Sequence, residues 1–163
     1  MDSTPLEIER KYLLKGLPPL PAHAVAHRME QGYLPENHGR LRRAVGPDGA
    51  PVCTLTFKTG VGLVRQEDQR KIPEAQFLEH WPRTEGRRLL KTRYKVAEAG
   101  FVWEIDCYDN LDLVLAEVEL PTPDTKVTPP DWLAPHIERE VTEDPAYQNY
   151  EIALRIAAGL SAP

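Results

Sequence analysis

The stretch that decides the fold lies near the start of the chain and reads Leu6-Glu7-Ile8-Glu9-Arg10-Lys11-Tyr12-Leu13-Leu14. Successive side chains of a β-strand point to opposite faces, so a strand places Glu7, Glu9 and Lys11 on one face. The other face is then apolar except for Arg10. A helix, at about 100° per residue, leaves no continuous apolar stripe on these residues. The stretch therefore predicts a strand with one charged face.

The same sorting recurs in six later runs, each of which has one charged or polar face. These faces hold Arg40 and Arg42; Thr54, Thr56 and Lys58; Arg65 and Glu67; Lys91, Arg93 and Lys95; Glu104 and Asp106; Glu117 and Glu119. A solvated outer face is the usual explanation of one polar strand face. Here, however, the charges occur in blocks of one sign, with acids towards both ends of the chain and bases between them. Solubility does not require that arrangement. A closed antiparallel barrel with the charged faces inside would bring these blocks together.

Prolines and glycines mark the joints between these strands. Gly46-Pro47-Asp48-Gly49 separates the alternating runs 39–45 and 51–59 and predicts a hairpin turn. One helix is predicted to begin near Pro73 and to end at Pro82, with Phe77, Leu78 and Trp81 packed on the body.

Two more helical signals follow from spacing. A C-terminal helix is predicted from Asp144-Pro145 to Gly159, with Tyr147, Tyr150, Leu154 and Ala157 on its packed face. A weaker signal covers residues 23–29. The fold class is therefore mainly β (α+β), with flanking helices.

Composition limits the functions that need to be considered. The 163 residues predict one domain over 1–163, and the 28% charged and 41% hydrophobic content is that of a globular protein. A net charge of −5 argues against a nucleic-acid or anionic-membrane partner. Without an apolar run of about 18 residues, and without a signal-peptide pattern in residues 1–5, a cytoplasmic location is expected. Cys53, Cys107 and five scattered histidines give no zinc motif.

The charged faces suggest a ligand. Arg and Lys side chains converging from several strands suit the oxygens of a polyphosphate. Carboxylates would repel that ligand unless a hard divalent cation, Mg²⁺ or Mn²⁺, lies between them and the phosphates. The candidate metal ligands are Glu7, Glu9, Asp106, Glu117 and Glu119.

Residues 7–11 match the ExExK signature, and the chain resembles the CYTH superfamily, the triphosphate tunnel metalloenzymes. Seven further blocks follow in the family's order: Gln31-Gly32-Tyr33-Leu34, Arg40-Leu41-Arg42, Leu55-Thr56-Phe57-Lys58, Arg65-Gln66-Glu67, Lys91-Thr92-Arg93-Tyr94, Glu117-Val118-Glu119 and residues 142–149. ExExK alone is common, whereas eight ordered blocks with consistent strand parity are a strong signal. The stretch 81–94 and the compact size most resemble bacterial short-chain inorganic triphosphatases.

The resemblance implies an eight-stranded antiparallel tunnel with a C-terminal helix, a carboxylate-bound Mg²⁺ or Mn²⁺, and a triphosphate on the basic side chains. It implies phosphate contacts from Lys11, Arg40, Arg42, Lys58, Arg65, Lys91 and Arg93. One departure concerns the C-terminal helix, where several relatives carry a basic residue that reaches the tunnel. This chain has Gln148, Asn149 and Glu151 there, and the nearest cation is Arg155.

The expected reaction is metal-dependent hydrolysis of the terminal phosphoanhydride of inorganic triphosphate or a related triphosphate. Glu67 is the first candidate to position the water. Tyr33 with Lys91 is the second, because an adjacent ammonium would lower the pKa of a tyrosine.

The alternatives are a class IV-type adenylate cyclase, a thiamine triphosphatase and a non-catalytic polyphosphate-binding module. A small polyanion is the expected partner. The sequence does not fix the oligomeric state, and a homodimer is one option.

Overall fold

Nine antiparallel strands form the body of the protein in this computed structural model, which describes residues 6–60 and 62–163. In chain order the strands are β1 Leu6–Leu14, β2 Val25–Tyr33, β3 Arg40–Val45, β4 Pro51–Thr59, β5 Val64–Ile72, β6 Arg88–Glu98, β7 Phe101–Tyr108, β8 Val114–Glu119 and β9 Ile137–Glu140. The expectation that residues 1–5 contain no signal peptide concerns residues outside this description.

Eight of these strands close into a barrel, as predicted. The order around the barrel is β1, β5, β4, β3, β2, β6, β7 and β8, which pairs again with β1. The closing contact is short, because only residues 6–8 of β1 pair with residues 64–66 of β5. The ninth strand, β9, pairs with residues 12–14 of β1. The predicted turn between β3 and β4 is also present, with a Gly49 N–H to Gly46 carbonyl hydrogen bond of 3.0 Å.

The alternation read from the sequence decides which side chains face the interior. The outward side chains of β1, β6, β7 and β8 form an apolar core that includes Tyr12, Val96, Trp103, Ile105 and Val118. Leu120 and Leu133, from the segment that follows β8, belong to the same cluster. The charged side chains on the opposite faces are therefore directed into the barrel.

The first helix, α1, spans Glu74–His80 and follows Pro73, close to the predicted start. It buries Phe77 in a small cluster with Leu41 and Cys53. Phe77 and Trp81 are four residues apart and stack with 4.9 Å between ring centroids. Leu78, which was expected to pack on the body, is instead 58% exposed, because one residue turns it about 100° away from Phe77.

The second helix, α2, spans Asn149–Ala157 and closes one end of the barrel. It follows a 3₁₀ turn, Pro145–Tyr147, and an extended residue, Gln148. This interruption changes the phase of the helix, so Ile152 and Ala153 are buried while Ala157, predicted to pack, is exposed. The buried side chains of α2 share an apolar cluster with Leu89, Tyr108 and Leu115 from the barrel strands.

The weak helical signal over residues 23–29 is wrong, since most of that stretch lies in β2. Strand β2 pairs with β3 on one side and β6 on the other, and this double pairing outweighs a weak local periodicity. No helix among the described residues is long and apolar enough to cross a membrane.

Candidate active site

The barrel encloses a cavity of about 310 Å³ whose walls are mostly charged. Twelve of the fourteen residues predicted for the site line it: Glu7, Glu9, Lys11, Tyr33, Arg40, Arg42, Lys58, Arg65, Glu67, Arg93, Glu117 and Glu119. Lys91 and Asp106 do not line it and are fully buried behind it. A second cavity shares Lys95, Glu104 and Glu119 with the first and is bordered by the hairpin between β6 and β7.

Three carboxylates from three strands meet in this cavity. Glu7 on β1, Glu67 on β5 and Glu119 on β8 each offer an oxygen, and these oxygens lie within 4.8 Å of one another. Glu67 was predicted to position water, and the structure places it beside two of the predicted metal ligands. Three convergent carboxylate oxygens are a donor set that fits a hard divalent cation.

The pKa values in this acid cluster reflect the crowding of like charges. Burial and a hydrogen bond with Glu7 raise the pKa of Glu67 to about 7. Burial opposes ionisation of Glu7 as well, but the hydrogen bond from Glu67 and the charge of Lys58 hold its pKa at about 2. Burial and the charges of Glu7 and Glu104 raise the pKa of Glu119. Like charges are therefore crowded at the point where a divalent cation would offset them.

Glu9 and Glu117 stand next to this cluster. Burial and the charges of Glu117 and Glu7 raise the pKa of Glu9 to about 8. Glu117 is buried, but Lys11 and Arg93 outweigh that burial and lower its pKa. Its nearest cation is the Lys11 ammonium, at 3.5 Å. Burial and neighbouring acids thus oppose ionisation of Glu9, whereas cations favour it in Glu117, although the sequence pattern treated the two residues alike.

Three arginines in the cavity have no carboxylate partner. Arg40, Arg42 and Arg65 form no ion pair within 4.0 Å among residues 6–60 and 62–163. The Nε atoms of Arg40 and Arg65 are buried without a hydrogen-bond partner. Burial, together with the charges of Arg40 and Arg93, lowers the pKa of Arg42 to about 9. Buried positive charge without a counter-charge is the electrostatic signature of an anion site.

Two lysines in the cavity already have partners. The Lys58 ammonium donates to Glu7 Oε1 at 2.8 Å. The Lys11 ammonium donates to the Tyr147 carbonyl oxygen at 3.0 Å, just before α2 begins. Lys58 thus connects β4 to Glu7 on β1, and Lys11 connects β1 to the residue that ends the 3₁₀ turn before α2.

The two predicted site residues behind the cavity form a buried ion network with Arg93. Asp106 accepts hydrogen bonds from the Lys91 ammonium at 2.8 Å and from Arg93 Nε, also at 2.8 Å. Arg93 further donates to Glu104 at 2.7 Å. Burial opposes ionisation of Asp106, but Arg93 and Lys91 lower its pKa below the usual range. For Asp106 to bind a metal, this network would have to rearrange.

Tyr33 does not have the environment expected for it. Burial raises its pKa, and the charges of Arg40, Arg65 and Arg42 offset that only in part, so the expected lowered pKa is wrong. Its hydroxyl accepts a hydrogen bond from the Gln31 amide at 3.0 Å, and its ring meets Tyr150 edge to face at 5.3 Å. Lys91 instead lies 5.6 Å above the Tyr108 ring. The Tyr33 and Lys91 roles stay predictions.

Several other residues that line the cavity had no predicted site role. They include His38, Gln69, Gln148, Asn149 and Tyr150. Gln69 has the same strand parity as Arg65 and Glu67, so alternation along β5 could have found it. His38 lies in a loop with φ of 55° and stacks on Tyr150 with 4.1 Å between ring centroids. No periodic signal identifies a residue in such a loop.

The closed eight-stranded antiparallel barrel has acids inside it, together with arginines that form no ion pair among the described residues, and it has the architecture of the triphosphate tunnel proteins, the CYTH superfamily. No protein-family model matches the chain. Curated relatives do match it. An inorganic triphosphatase of Nitrosomonas europaea is 38% identical over 156 residues, which is 92% of this chain and 98% of that protein. An inorganic triphosphatase of Acetivibrio thermocellus is 34% identical over 148 residues, 88% of this chain and 90% of that one.

A solved structure agrees with these relatives. The crystal structure of the inorganic triphosphatase NE1496 has a TM-score of 0.57 and 35% sequence identity. The similarity covers 91% of this chain and 97% of the NE1496 chain. The chain therefore belongs to the inorganic triphosphatase family.

Proposed function

We propose that this protein hydrolyses the terminal phosphoanhydride of inorganic triphosphate with the help of Mg²⁺ or Mn²⁺. The observation that carries the proposal is that one cavity holds both a cluster of three carboxylates and three arginines that form no ion pair among the described residues. The cavity, of about 310 Å³, is at the small end of the roughly 300–1,000 Å³ range of ligand pockets. A compact polyanion suits this space better than a nucleotide, and the names of the curated relatives support the same substrate.

The cation would be held by Glu7 and Glu119, with Glu67 beside them and Glu9 and Glu117 at the edge of the cluster. A divalent cation there supplies positive charge to phosphate oxygens and to the leaving diphosphate. Asp106 has both carboxylate oxygens engaged by Lys91 and Arg93, so its role in this proposal is to hold those two bases in place.

The phosphate oxygens would be bound by the bases that line the cavity. Within the part of the chain that the structure describes, Arg40, Arg42 and Arg65 form no ion pair, and an arginine fork binds phosphate oxygens in pairs. Lys11 and Lys58 line the same cavity, Lys11 at 3.5 Å from Glu117 and Lys58 at 2.8 Å from Glu7. Arg93 also lines it, although Asp106 and Glu104 occupy its guanidinium. Lys91 would act on Asp106 and not on substrate directly.

Glu67 is proposed to position the attacking water and to accept its proton. A group whose pKa is about 7 is well matched to proton transfer near neutral pH. Glu67 is also half-buried and hydrogen-bonded to Glu7, which fixes its orientation in the cluster. Tyr33, whose raised pKa keeps its hydroxyl protonated, is suited to donate a hydrogen bond to a phosphate oxygen and not to act as a base.

The test is a phosphate-release screen of the full chain with tripolyphosphate, longer polyphosphate, thiamine triphosphate, ATP and diphosphate. Each substrate is assayed with Mg²⁺, with Mn²⁺ and with EDTA. We expect tripolyphosphate to be the best substrate and EDTA to stop turnover. Cyclic AMP and diphosphate from ATP would instead identify an adenylate cyclase. Tight binding without turnover would identify a polyphosphate-binding protein.

Matched variants test the acid cluster. Glu119→Gln and Glu7→Gln should each reduce metal-dependent turnover at least 100-fold, because each removes a carboxylate from the cation site. Glu138→Gln, on the exposed part of β9, is the control and should keep wild-type turnover. Circular dichroism checks that the variants fold. Wild-type rates in both cavity variants would disprove the metal assignment.

The finer expectations about the whole molecule stay predictions: a single domain over residues 1–163, a cytoplasmic location and a homodimer. Size-exclusion chromatography with light scattering measures the oligomeric state directly. Limited proteolysis of the full chain tests the single domain, because a second unit would be released as a stable fragment.

A further inference from the structure

The beginning of β5 has fewer strand contacts than the rest of that strand. Pairing with β4 extends towards the start of β5 as far as Gln66, which lies opposite Thr59. Arg65 lies beyond that pairing, and in the register of the described residues it faces Glu7 of β1 and no residue of β4. Arg65 lines the cavity, and its buried Nε has no hydrogen-bond partner among these residues. The position of its side chain therefore depends on how the end of β5 is anchored.

Leu63, two residues before Arg65, is anchored through both of its backbone groups. Its carbonyl accepts a hydrogen bond from the Glu9 N–H at 3.1 Å. Its own N–H donates to Glu143 Oε1 at 3.0 Å. The first bond continues the short closing contact between β1 and β5, and the second reaches a segment 80 residues further along the chain.

The segment that contains Glu143 is itself bound to β1. The Val141 N–H donates to the Lys11 carbonyl at 2.8 Å, and the Lys11 N–H donates to Thr142 Oγ1 at 3.1 Å. A turn over residues 141–144 follows, in which the Asp144 N–H donates to the Val141 carbonyl at 3.0 Å. Strand β1 pairs with β8 along one edge and with β5 and β9 along the other. Glu143 therefore joins the two segments that share this second edge.

Gly62 provides the space that the Glu143 carboxylate occupies. Gly62 is buried and has a φ of 94°, a conformation that residues with a side chain rarely adopt. A Cβ at this position would lie 2.0 Å from Glu143 Oε2. The carboxylate can therefore approach the backbone beside Leu63 because residue 62 has no side chain.

From these contacts we infer that Glu143 is a positioning residue for substrate binding. Through Leu63 it holds the beginning of β5 against β1 and keeps the Arg65 guanidinium in the cavity. Glu67 depends less on this contact, because it lies within the pairing with β4, opposite Lys58. The inference rests on the proposed function, in which Arg65 binds phosphate. Loss of the Glu143 contact should accordingly weaken substrate binding more than it slows the chemical step.

The experiment measures KM and kcat for tripolyphosphate, with Mg²⁺ or Mn²⁺, in the full chain. Glu143→Ala should raise KM about fivefold and change kcat less than twofold. The loss of charge alone would lower KM, because a negative charge near the site repels a polyanion. Glu143→Gln loses the same charge but keeps an acceptor oxygen for the Leu63 N–H. It should therefore have a KM within twofold of wild type.

Gly62→Ala tests the same contact from the opposite side. Its methyl group should displace the carboxylate and raise KM as Glu143→Ala does, so the double variant should show no further rise. The matched control is Glu138→Ala, at an exposed residue of β9 that does not line the cavity, and it should keep the wild-type KM. Thermal unfolding shows whether each variant folds. The two Glu143 variants remain the test if Gly62→Ala does not fold.

The outcomes separate this inference from the proposed function. A lower Tm of Glu143→Ala with an unchanged KM would show a merely structural role and overturn the inference. Equal changes of KM in Glu143→Ala and Glu143→Gln would overturn it as well, because the hydrogen bond would then not be the cause. Both results leave the proposed function intact, since the wild type still hydrolyses tripolyphosphate. A wild-type chain that does not hydrolyse tripolyphosphate would overturn both.

Discussion

Single residues in this cavity differ more than their residue types suggest. Glu67 has a pKa of about 7 because it is buried against Glu7, whereas Glu7, with Lys58 at 2.8 Å, has a pKa of about 2. The arginines differ in the same way. Arg93 is surrounded by carboxylates, while Arg42 has none within ion-pair distance among the described residues. The role of each group follows from its immediate neighbours.

Arg42→Ala should weaken tripolyphosphate binding by roughly 10- to 100-fold, since a charged hydrogen bond contributes about 1.5–3 kcal/mol. The free energy of unfolding should stay unchanged or increase, because the variant relieves repulsion with Arg40 and Arg93. Calorimetry and urea unfolding measure the two effects. The control is Arg70→Ala, on the exposed end of β5, whose pair with Asp68 contributes little. A loss of stability without a loss of affinity would show that Arg42 is structural.

Asp106→Asn should lower the free energy of unfolding by about 3–5 kcal/mol, because it leaves Lys91 and Arg93 buried without their shared carboxylate. Folding lowers the pKa of Asp106, so its stabilising effect is present above the unfolded pKa of about 3.9 and is lost as the pH falls further. Urea unfolding at pH 7 and at pH 3 should therefore show a smaller difference at pH 3. Asp68→Asn, at an exposed pair, is the control and should change stability by less than about 1 kcal/mol. An equal effect of both substitutions would contradict the buried network.

Among the elements, α2 determines the shape of the cavity. Its buried residues Ile152 and Ala153 join barrel side chains in one apolar cluster and so seal one end. Its first turn, by contrast, contributes polar side chains to the cavity wall. The extended residue Gln148 makes both contacts possible, because it separates α2 from the preceding 3₁₀ turn.

Ile152→Ala should cost about 2–5 kcal/mol of stability, the usual effect of truncating a fully buried isoleucine. It should also weaken tripolyphosphate binding, because α2 would hold its first turn less firmly. Leu154→Ala, in the half-exposed part of the same helix, should cost clearly less. Urea unfolding compares the two variants. Equal losses would mean that α2 does not close the barrel end as described.

At the scale of the molecule, barrel closure assembles the acid cluster. Glu7, Glu67 and Glu119 come from β1, β5 and β8. Strands β1 and β8 pair directly, whereas β5 joins them only through its pairing with residues 6–8 of β1. That closing contact is short, and it brings carboxylates together that repel one another. The cluster therefore opposes closure, and a cation bound between the acids would favour it.

A divalent cation should accordingly stabilise the fold. Mg²⁺ or Mn²⁺ at about one hundred times its dissociation constant would add about 2.7 kcal/mol to the free energy of unfolding. Thermal unfolding with the metal and with EDTA measures the difference. Glu119→Gln should reduce the stabilisation and raise the metal-free Tm, because it removes one of the crowded charges. A metal effect of the same size in Glu119→Gln and wild type would place the cation elsewhere.

The sequence by itself determined the strands, the inward charged faces and the barrel, because a period of two over short runs needs only local geometry. The eight ordered blocks also placed twelve of the fourteen predicted site residues around the cavity. Alternation cannot tell how deep a side chain lies, and this is why Asp106 was grouped with Glu117. Both share the inward parity of their strands, yet Asp106 is enclosed by Lys91 and Arg93.

Only the tertiary structure decided which charges meet and which remain unpaired. Barrel closure brings Glu67 into the acid cluster, and the phase break at Gln148 turns the start of α2 towards the cavity. The pKa differences among the acids follow from burial and from neighbours that are remote in sequence, such as Lys58 beside Glu7. Local periodicity contains no information on these distances, because they depend on how the ends of the chain close the barrel.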